Sequence, residues 1–399
     1  MQQAPLVMVC ANQAWNLVNF RGSLIRALIG AGYRVMAVAP HDPMWSQRLR
    51  DMGCDCADMP MEAAGTSLWQ EARLLARMVA LMRRVRPAAF LGWTIKPNCY
   101  GALAARLCGV PAIPNVSGLG TAFIRRNLLT LVAGGLYRLA FARCPTVFFQ
   151  NGDDRDLFLR LGLVRGDQVR LLPGSGIDLA RFAVPPGGRP TGRRFVLIAR
   201  LLADKGVREF VAAARMLRGV MPEARFVLVG QVGVANRTAI AQDELDGWLA
   251  EGVVEWQPPV EDIRPVIAGA EWVVLPSYRE GLSRVLLEAA AMGRPIVTSD
   301  APGCRDIVRE GENGFLAPVA DADGLAAALC RAGALDDAAW GAMAACGRAR
   351  VEAEFAESRV IALYLQALCA AGVGAVASEM EAAGASAMAA FADAEVVVP

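Results

Sequence analysis

Two cations and two carboxylates in the second half of this chain are spaced to act together. Arg200 and Lys205 stand five residues apart, with Gly206 directly after them. A strand-to-helix turn there would aim backbone N–H groups at an anion, and the two cations could close on it. Glu280 and Glu288 stand eight residues apart in YREGLSRVLLEAAAMG, where Ser283 fits a helix N-cap and Gly293 a helix stop. Glu280 then lies beside the positive end of a helix dipole. Glu288 lies within the apolar run VLLEAAAM. A carboxylate in that company costs free energy unless something hydrogen-bonds it. It either takes the solvent face or turns to a crevice at the C-terminal edge of a parallel sheet, where open α/β sheets bind ligands. A lone Arg/Lys pair is usually surface charge. At such an edge, beside two carboxylates, it reads as a diphosphate clamp.

The elements that must position these groups are legible as apolar runs. RFVLIAR (194–200), RFVLVG (225–230), VVEW (253–256), WVVLP (272–276), PIVTSD (295–300) and GFLAP (314–318) read as buried parallel strands with helices between them. PLVMVC (5–10), RVMAVAP (34–40), AAFLGW (88–93), PAIPNV (111–116) and TVFFQN (146–151) set the same rhythm in the first half. The expected fold is α/β, two doubly wound domains. The expected boundaries are a first domain over 1–184, a linker at PPGGRPTGR (185–193) and a second domain over 194–355. A terminal helix over 356–371 is expected to pack back towards the first domain, and the Ala/Gly/Glu-rich stretch 372–399 to be a disordered tail.

In the first half the loop after the first strand is read as ANQAWNLVNFRG, with a helix from Ser23 to Ala31. Arg21 and Gly22 then stand where such loops meet phosphate, although no G-x-G-x-x-G is present. Lys96 and Asn98 follow the strand ending at Trp93, Gly118 lies in the glycine-bearing loop SGLGTAF, and Asn151 closes the strand TVFFQN. These are candidates for the acceptor side.

Of 41 Lys and Arg residues only Lys96 and Lys205 are lysine, so both positions suit a compact point charge. Net charge is +2, but Lys and Arg outnumber Asp and Glu by 21 to 11 through residue 184, and the balance reverses beyond it, 20 to 28. A basic first half suits phosphates or an anionic membrane surface. Nucleic acid ranks last, because no aromatic-interleaved basic run is present. The basic helices expected over 67–86 and 125–144 read first as core-packing helices and second as surface-lying ones. Val360 to Ser378 lacks charge, but its glycines, alanines and polar residues fit a packed terminal helix better than a membrane span. With a single histidine, His41, and no C-x-x-C among ten cysteines, no metal site is expected. Asp154/Asp156 and Asp321/Asp323 are read as helix caps. The scattered thiols and the absence of a signal peptide suggest a cytoplasmic protein.

The R-L-x-x-x-K-G turn from Arg200 to Gly206, the Glu280/Glu288 pair and PGCRDIVREGENGFLAP together resemble the nucleotide-sugar-binding domain of the family 4 glycosyltransferases. The first half, through TIKPNCYGALAARLCGVPAIPNVSGLGTAF and FFQNGDD, resembles the subgroup that builds bacterial capsule, O-antigen and lipid-linked glycans. The resemblance covers residues 5–370 and implies the GT-B fold, two Rossmann-like domains facing a cleft. It implies retaining, metal-independent transfer from a nucleotide diphosphate sugar, most often UDP-linked, to a polyprenyl-diphosphate-linked acceptor at the inner membrane face. Arg200 and Lys205 would hold the donor diphosphate, with Gly206 beside them. Glu280 would contact the donor sugar, and Glu288 the ribose. Gly281, Leu282 and Ser283 would offer backbone N–H groups, with Gly22 a further donor-side glycine. Some members carry an acceptor-side histidine near Gly92–Asn98. This chain has Lys96 there instead. Arg21 could serve an acceptor phosphate or the donor diphosphate. A soluble acceptor, a sugar-nucleotide epimerase and a silent scaffold are the other readings.

Overall fold

The computed structural model describes residues 4–61, 68–119 and 128–374. The chain divides into two units, with boundaries between Ser175 and Gly176 and between Ala356 and Glu357.

The first unit runs β1 (Leu6–Cys10), α1 (Ala14–Gly30), β2 (Arg34–Ala39), α2 (Pro43–Asp51), β3 (Asp55–Asp58), α3 (Leu68–Val85), β4 (Ala89–Trp93), α4 (Ala102–Cys108), β5 (Ala112–Val116), α5 (Leu128–Phe141), β6 (Val147–Phe149), α6 (Gly152–Arg160) and β7 (Val169–Leu171). The second runs β8 (Arg194–Ile198), α7 (Val207–Leu217), β9 (Arg225–Val229), α8 (Gln242–Ala250), β10 (Glu255–Gln257), α9 (Arg264–Ala268), β11 (Trp272–Leu275), α10 (Arg284–Ala291), β12 (Ile296–Ser299), β13 (Gly314–Ala317), α11 (Ala322–Gly333) and α12 (Asp337–Glu354). The last helix, α13 (Glu357–Ala370), belongs to the first unit.

Among the described residues the strand orders are β3-β2-β1-β4-β5-β6-β7 and β10-β9-β8-β11-β12-β13, with every pairing parallel. Each sheet reverses its winding beside its first strand, between β1 and β4 and between β8 and β11. Those are the switch points at which open α/β sheets take ligands. The strands read as apolar runs because both of their faces are covered. Phe195 and Leu197 of β8 pack with Val207 and Phe210 of α7, whereas Val196 between them packs with Leu286 of α10. Met8 and Cys10 of β1 face one layer, and Val7 and Val9 the other.

Helix α13 lays Val360, Tyr364, Ala367 and Leu368 into the layer that holds Val7 and Val9. The Tyr364 hydroxyl accepts hydrogen bonds from Trp93 Nε1 and Asn115 Nδ2, both at 2.9 Å. Tyr33 donates to the carbonyl of Val373 at 2.8 Å. Residues 375–399, most of the expected tail, lie outside the described residues.

Two expectations change. The stretch 185–193 is not the boundary; it lies inside the second unit. Arg189 ties it down, donating to the buried Glu271 at 2.6 Å and to Asp337 at 2.8 Å. Ahead of it, Ile177 and Phe182 already belong to the second unit's core, and the Ile177 N–H bonds the carbonyl of Phe355. The first helix begins at Ala14, not Ser23. Its buried positions Ala14, Leu17, Arg21, Leu24, Ile25 and Leu28 form one continuous helical stripe.

Asp321 caps α11 through the N–H of Gly324, while Asp154 sits in the first turn of α6, which Asn151 caps. Tyr137, Ala140 and Phe141 anchor α5 in the core, and Arg125 and Arg126 lie outside the described residues. Among the described residues no helix is long and apolar enough to cross a membrane.

Candidate active site

The second unit gathers three loop ends at its switch point. After β8 the chain makes a tight turn over Ala203–Lys205 and passes through Gly206 at φ 71° into α7. A Cβ at Gly206 would lie 2.1 Å from the carbonyl oxygen of Pro276, so glycine alone lets this turn press on the end of β11. Asp204 fixes the contact: its carbonyl accepts from the Tyr278 N–H at 2.9 Å and from Ser277 Oγ at 3.1 Å. From the third loop, after β12, Pro302 accepts the Glu280 N–H at 2.9 Å and Gly303 accepts the Ser283 N–H at 3.0 Å. Gly303 is as constrained as Gly206, since its φ is 77° and a Cβ would come within 2.5 Å of the Glu280 carbonyl oxygen.

These constraints bring Lys205 and Glu280 together across 75 residues of sequence, as a direct Nζ–Oε1 ion pair. Their side chains are 20% and 16% exposed, so the pair is shielded yet reachable. Arg200, at the mouth of the same turn, is exposed, and its side chain has no hydrogen bond or ion pair among the described residues. Helix α10 begins directly beyond Glu280. Ser283 is its N-cap but makes no side-chain cap, so the positive end of the helix lies at this edge without a neutralising hydroxyl.

Glu288 is buried, so it does not take the solvent face. Its Oε1 accepts from Arg284 Nε at 2.8 Å, one turn back along α10. Burial pushes its carboxyl up from the ordinary value, opposed by the charges of Arg284 and Arg181. Cys304 lies under the site, and its thiol is pushed up to about 12, by burial first and then by the Glu280 charge. It is therefore an inert neutral thiol at neutral pH.

The Ser283 N–H is already held by Gly303 and is not available to a ligand, contrary to its expected role as a donor-binding amide. Gly281 is buried, and Leu282 packs partly on the core. Tyr278 and Arg284 are supporting residues that the sequence did not single out. Tyr278 donates to Glu209 at 2.7 Å, and Arg284 holds Glu288. The i, i+4 spacing of Arg284 and Glu288 was a readable signal. The Tyr278–Glu209 contact had none.

In the first unit the candidates do not converge. Arg21 and Gly22 lie within α1, not in a loop. Arg21 is buried, donates to Ser175 Oγ at 2.7 Å and sits 5.0 Å over the Trp93 ring. The amide of Gly22 falls inside the helical ladder, and its missing side chain faces Met52, so a phosphate-binding role for Gly22 is corrected. Asn98 is buried and donates to the Asn115 carbonyl at 2.8 Å, fixing the turn after β4. Asn151 accepts the Asp154 N–H at 2.8 Å as the cap of α6. Gly118 follows β5 at φ 130°, a backbone conformation suited to glycine. Lys96 stays at the functional edge, paired with Glu71 at 2.6 Å.

The family model for group 1 glycosyl transferases matches residues 192–334. Over 327 residues the chain is 28% identical to the N,N'-diacetylbacillosaminyl-diphospho-undecaprenol alpha-1,3-N-acetylgalactosaminyltransferase of Campylobacter jejuni, covering 78% of this chain and 84% of that protein. It is 25% identical over 288 residues to the UDP-Gal:alpha-D-GlcNAc-diphosphoundecaprenol alpha-1,3-galactosyltransferase of Escherichia coli, covering 68% and 73% of the two chains. Its fold is that of Anabaena Alr3699/HepE, solved in complex with UDP and glucose, with a TM-score of 0.74 at 19% identity over 92% of this chain and 99% of the other. The chain has the GT-B fold, and residues 192–334 of its second unit match the group 1 glycosyl transferase model.

Proposed function

We propose that this enzyme moves a sugar from a UDP-sugar to a polyprenyl-diphosphate-linked glycan, with retention and without a metal ion. The observation that carries the reading is the pinned edge of the second unit, where Arg200, Lys205, Glu280 and the start of α10 stand together. Breaking the bond between the anomeric carbon and the diphosphate builds negative charge on the departing UDP. Fixed cations and a helix N-terminus stabilise that charge without reorganising. Lys205 and Arg200 supply the point charges, while Glu280 holds Lys205 in place and offers oxygens to donor-sugar hydroxyls. Glu288, steered by Arg284, takes the ribose. The acceptor hydroxyl forms the new bond to the anomeric carbon, and its proton leaves with the UDP phosphate, so no protein nucleophile is required.

The acceptor class is supported by the two relatives, both named for sugars on diphospho-undecaprenol, and by the basic first half of the chain. With such an acceptor the enzyme would work as a peripheral protein at the inner membrane face. The test is a transfer assay with a panel of UDP-sugars and a prenyl-diphosphate-linked monosaccharide, run with and without EDTA. Product from one UDP-sugar, with its anomeric configuration kept and its rate unchanged by EDTA, is the expected result. Inverted product, or loss of the rate in EDTA that added metal restores, would overturn the mechanism. Transfer to soluble glycans alone would overturn the acceptor.

A further inference from the structure

In the second unit the stretch 231–240, between β9 and α8, lies as a strap along the turn that carries Arg200 and Lys205. Backbone hydrogen bonds tie the two segments at successive points. The Leu201 N–H donates to the Gln231 carbonyl at 2.9 Å, and the Ile240 N–H to the Leu201 carbonyl at 2.9 Å. The Ala203 N–H donates to the Thr238 carbonyl at 2.7 Å, and Leu202 and Ala239 form an antiparallel bridge. Ile240 is buried in the core of the unit, which anchors the end of the strap. The turn that delivers Lys205 is therefore clasped over Leu201–Ala203 by a loop remote from it in sequence.

Thr238 adds a side-chain link. Its hydroxyl lies 3.2 Å from Asp204 Oδ2 and 3.0 Å from Asn236 Oδ1. A hydroxyl has one proton to give. Asn236 Oδ1 already accepts the Thr238 N–H at 2.9 Å, and a carboxylate is the stronger acceptor, so the proton belongs to Asp204. Asp204 is then held on both sides, its carbonyl by Tyr278 and Ser277 and its carboxylate by Thr238. This acid directly precedes Lys205, yet among the described residues it forms no ion pair with Lys205 or Arg200. Turned towards either cation, it would offset charge that a diphosphate needs. Thr238 is only half-buried, so core packing does not call for its hydroxyl.

We propose that Thr238 is a positioning residue of the donor site: its hydroxyl holds the Asp204 carboxylate on the strap and keeps it from pairing with Arg200 or Lys205. The inference rests on the reading of those two cations as a diphosphate clamp. It adds a residue from a loop that the clamp itself does not use, and it assigns Asp204 as the group through which that residue acts.

Calorimetric titration of UDP into the full chain tests it, on wild type, Thr238→Val, Thr238→Ser, Asp204→Asn and Asp204→Asn/Thr238→Val, each checked for folding by thermal melt. Thr238→Val keeps the shape and the backbone carbonyl, and should weaken UDP about fivefold. Thr238→Ser keeps the hydroxyl and should bind within about twofold of wild type. Asp204→Asn removes the charge to be held, so it should bind at least as tightly as wild type. The double variant should recover to within about twofold of wild type, a rescue that a merely structural threonine would not show. Equal affinity in wild type and Thr238→Val would overturn the inference and leave the clamp standing. A loss that persists in the double variant, or one caused by Asp204→Asn alone, would overturn the route through Asp204. No UDP binding by the wild type would overturn the clamp and the inference with it.

Discussion

The two sheets share one strand order, yet they use their switch points differently. In the second unit the loop after the first strand stays a tight turn, pressed against β11 through Gly206, and delivers Lys205 to Glu280. In the first unit the equivalent segment is taken up by α1, which starts at Ala14 and carries Arg21 into its buried stripe. The lysine at that sheet edge is Lys96, after β4, in an ion pair with Glu71. A shared topology therefore fixes where ligands can bind. Local backbone constraints decide which loop brings charged side chains to that edge.

Substituting Gly206 breaks this comparison most severely. Gly206→Ala combines a positive φ with a backbone clash, and should cost about 3 kcal/mol of stability in denaturant unfolding. A variant as stable as wild type would mean that the turn does not press on β11. Lys205→Ala comes next: turnover should fall about a hundredfold, equivalent to about 2.7 kcal/mol of transition-state stabilisation. Turnover within a factor of a few of wild type would remove Lys205 from the clamp.

Glu288→Gln is a smaller perturbation, expected to raise the donor KM roughly tenfold with kcat little changed. Its second readout is pH. Burial raises the Glu288 carboxyl above its ordinary 4.5, so the folded state holds this proton more tightly than the unfolded state. Wild-type stability should therefore fall as pH rises from 4.5 through the raised value, a loss absent in the glutamine variant. Parallel stability curves for the two proteins would show that Arg284 cancels the burial effect. The smallest effect belongs to the first unit: Gly22→Ala lies mid-helix with its nearest side-chain neighbour at 3.5 Å, and should gain roughly 0.5–1 kcal/mol with donor KM unchanged. A raised donor KM would restore the phosphate role that the helix removes.

The same contrast explains what could be read in advance. Strands β8, β9 and β11 stood out because parallel strands buried on both faces are unbroken apolar runs. The start of α1 leaves no mark in the sequence, because Gln13 makes no side-chain cap and the buried Arg21 breaks the apolar stripe. PPGGRPTGR looked like a linker by composition, and nothing local reveals that Arg189 reaches Glu271, 82 residues away. Spacing and the family pattern put Lys205 and Glu280 at one sheet edge, but neither showed their direct ion pair. The Lys96–Glu71 pair, 25 residues apart, depends on how α3 lies over the sheet edge and had no sequence signal. Side chains that meet through tertiary packing are the part that a sequence hides.

The most direct test of the central claim is calorimetric titration of UDP into wild type and Arg200→Ala/Lys205→Ala, both in EDTA. The account predicts one saturable site in the wild type without metal, weakened by tenfold or more in the variant. Equal affinity in the two proteins, or binding that appears only when a divalent metal is restored, would contradict it.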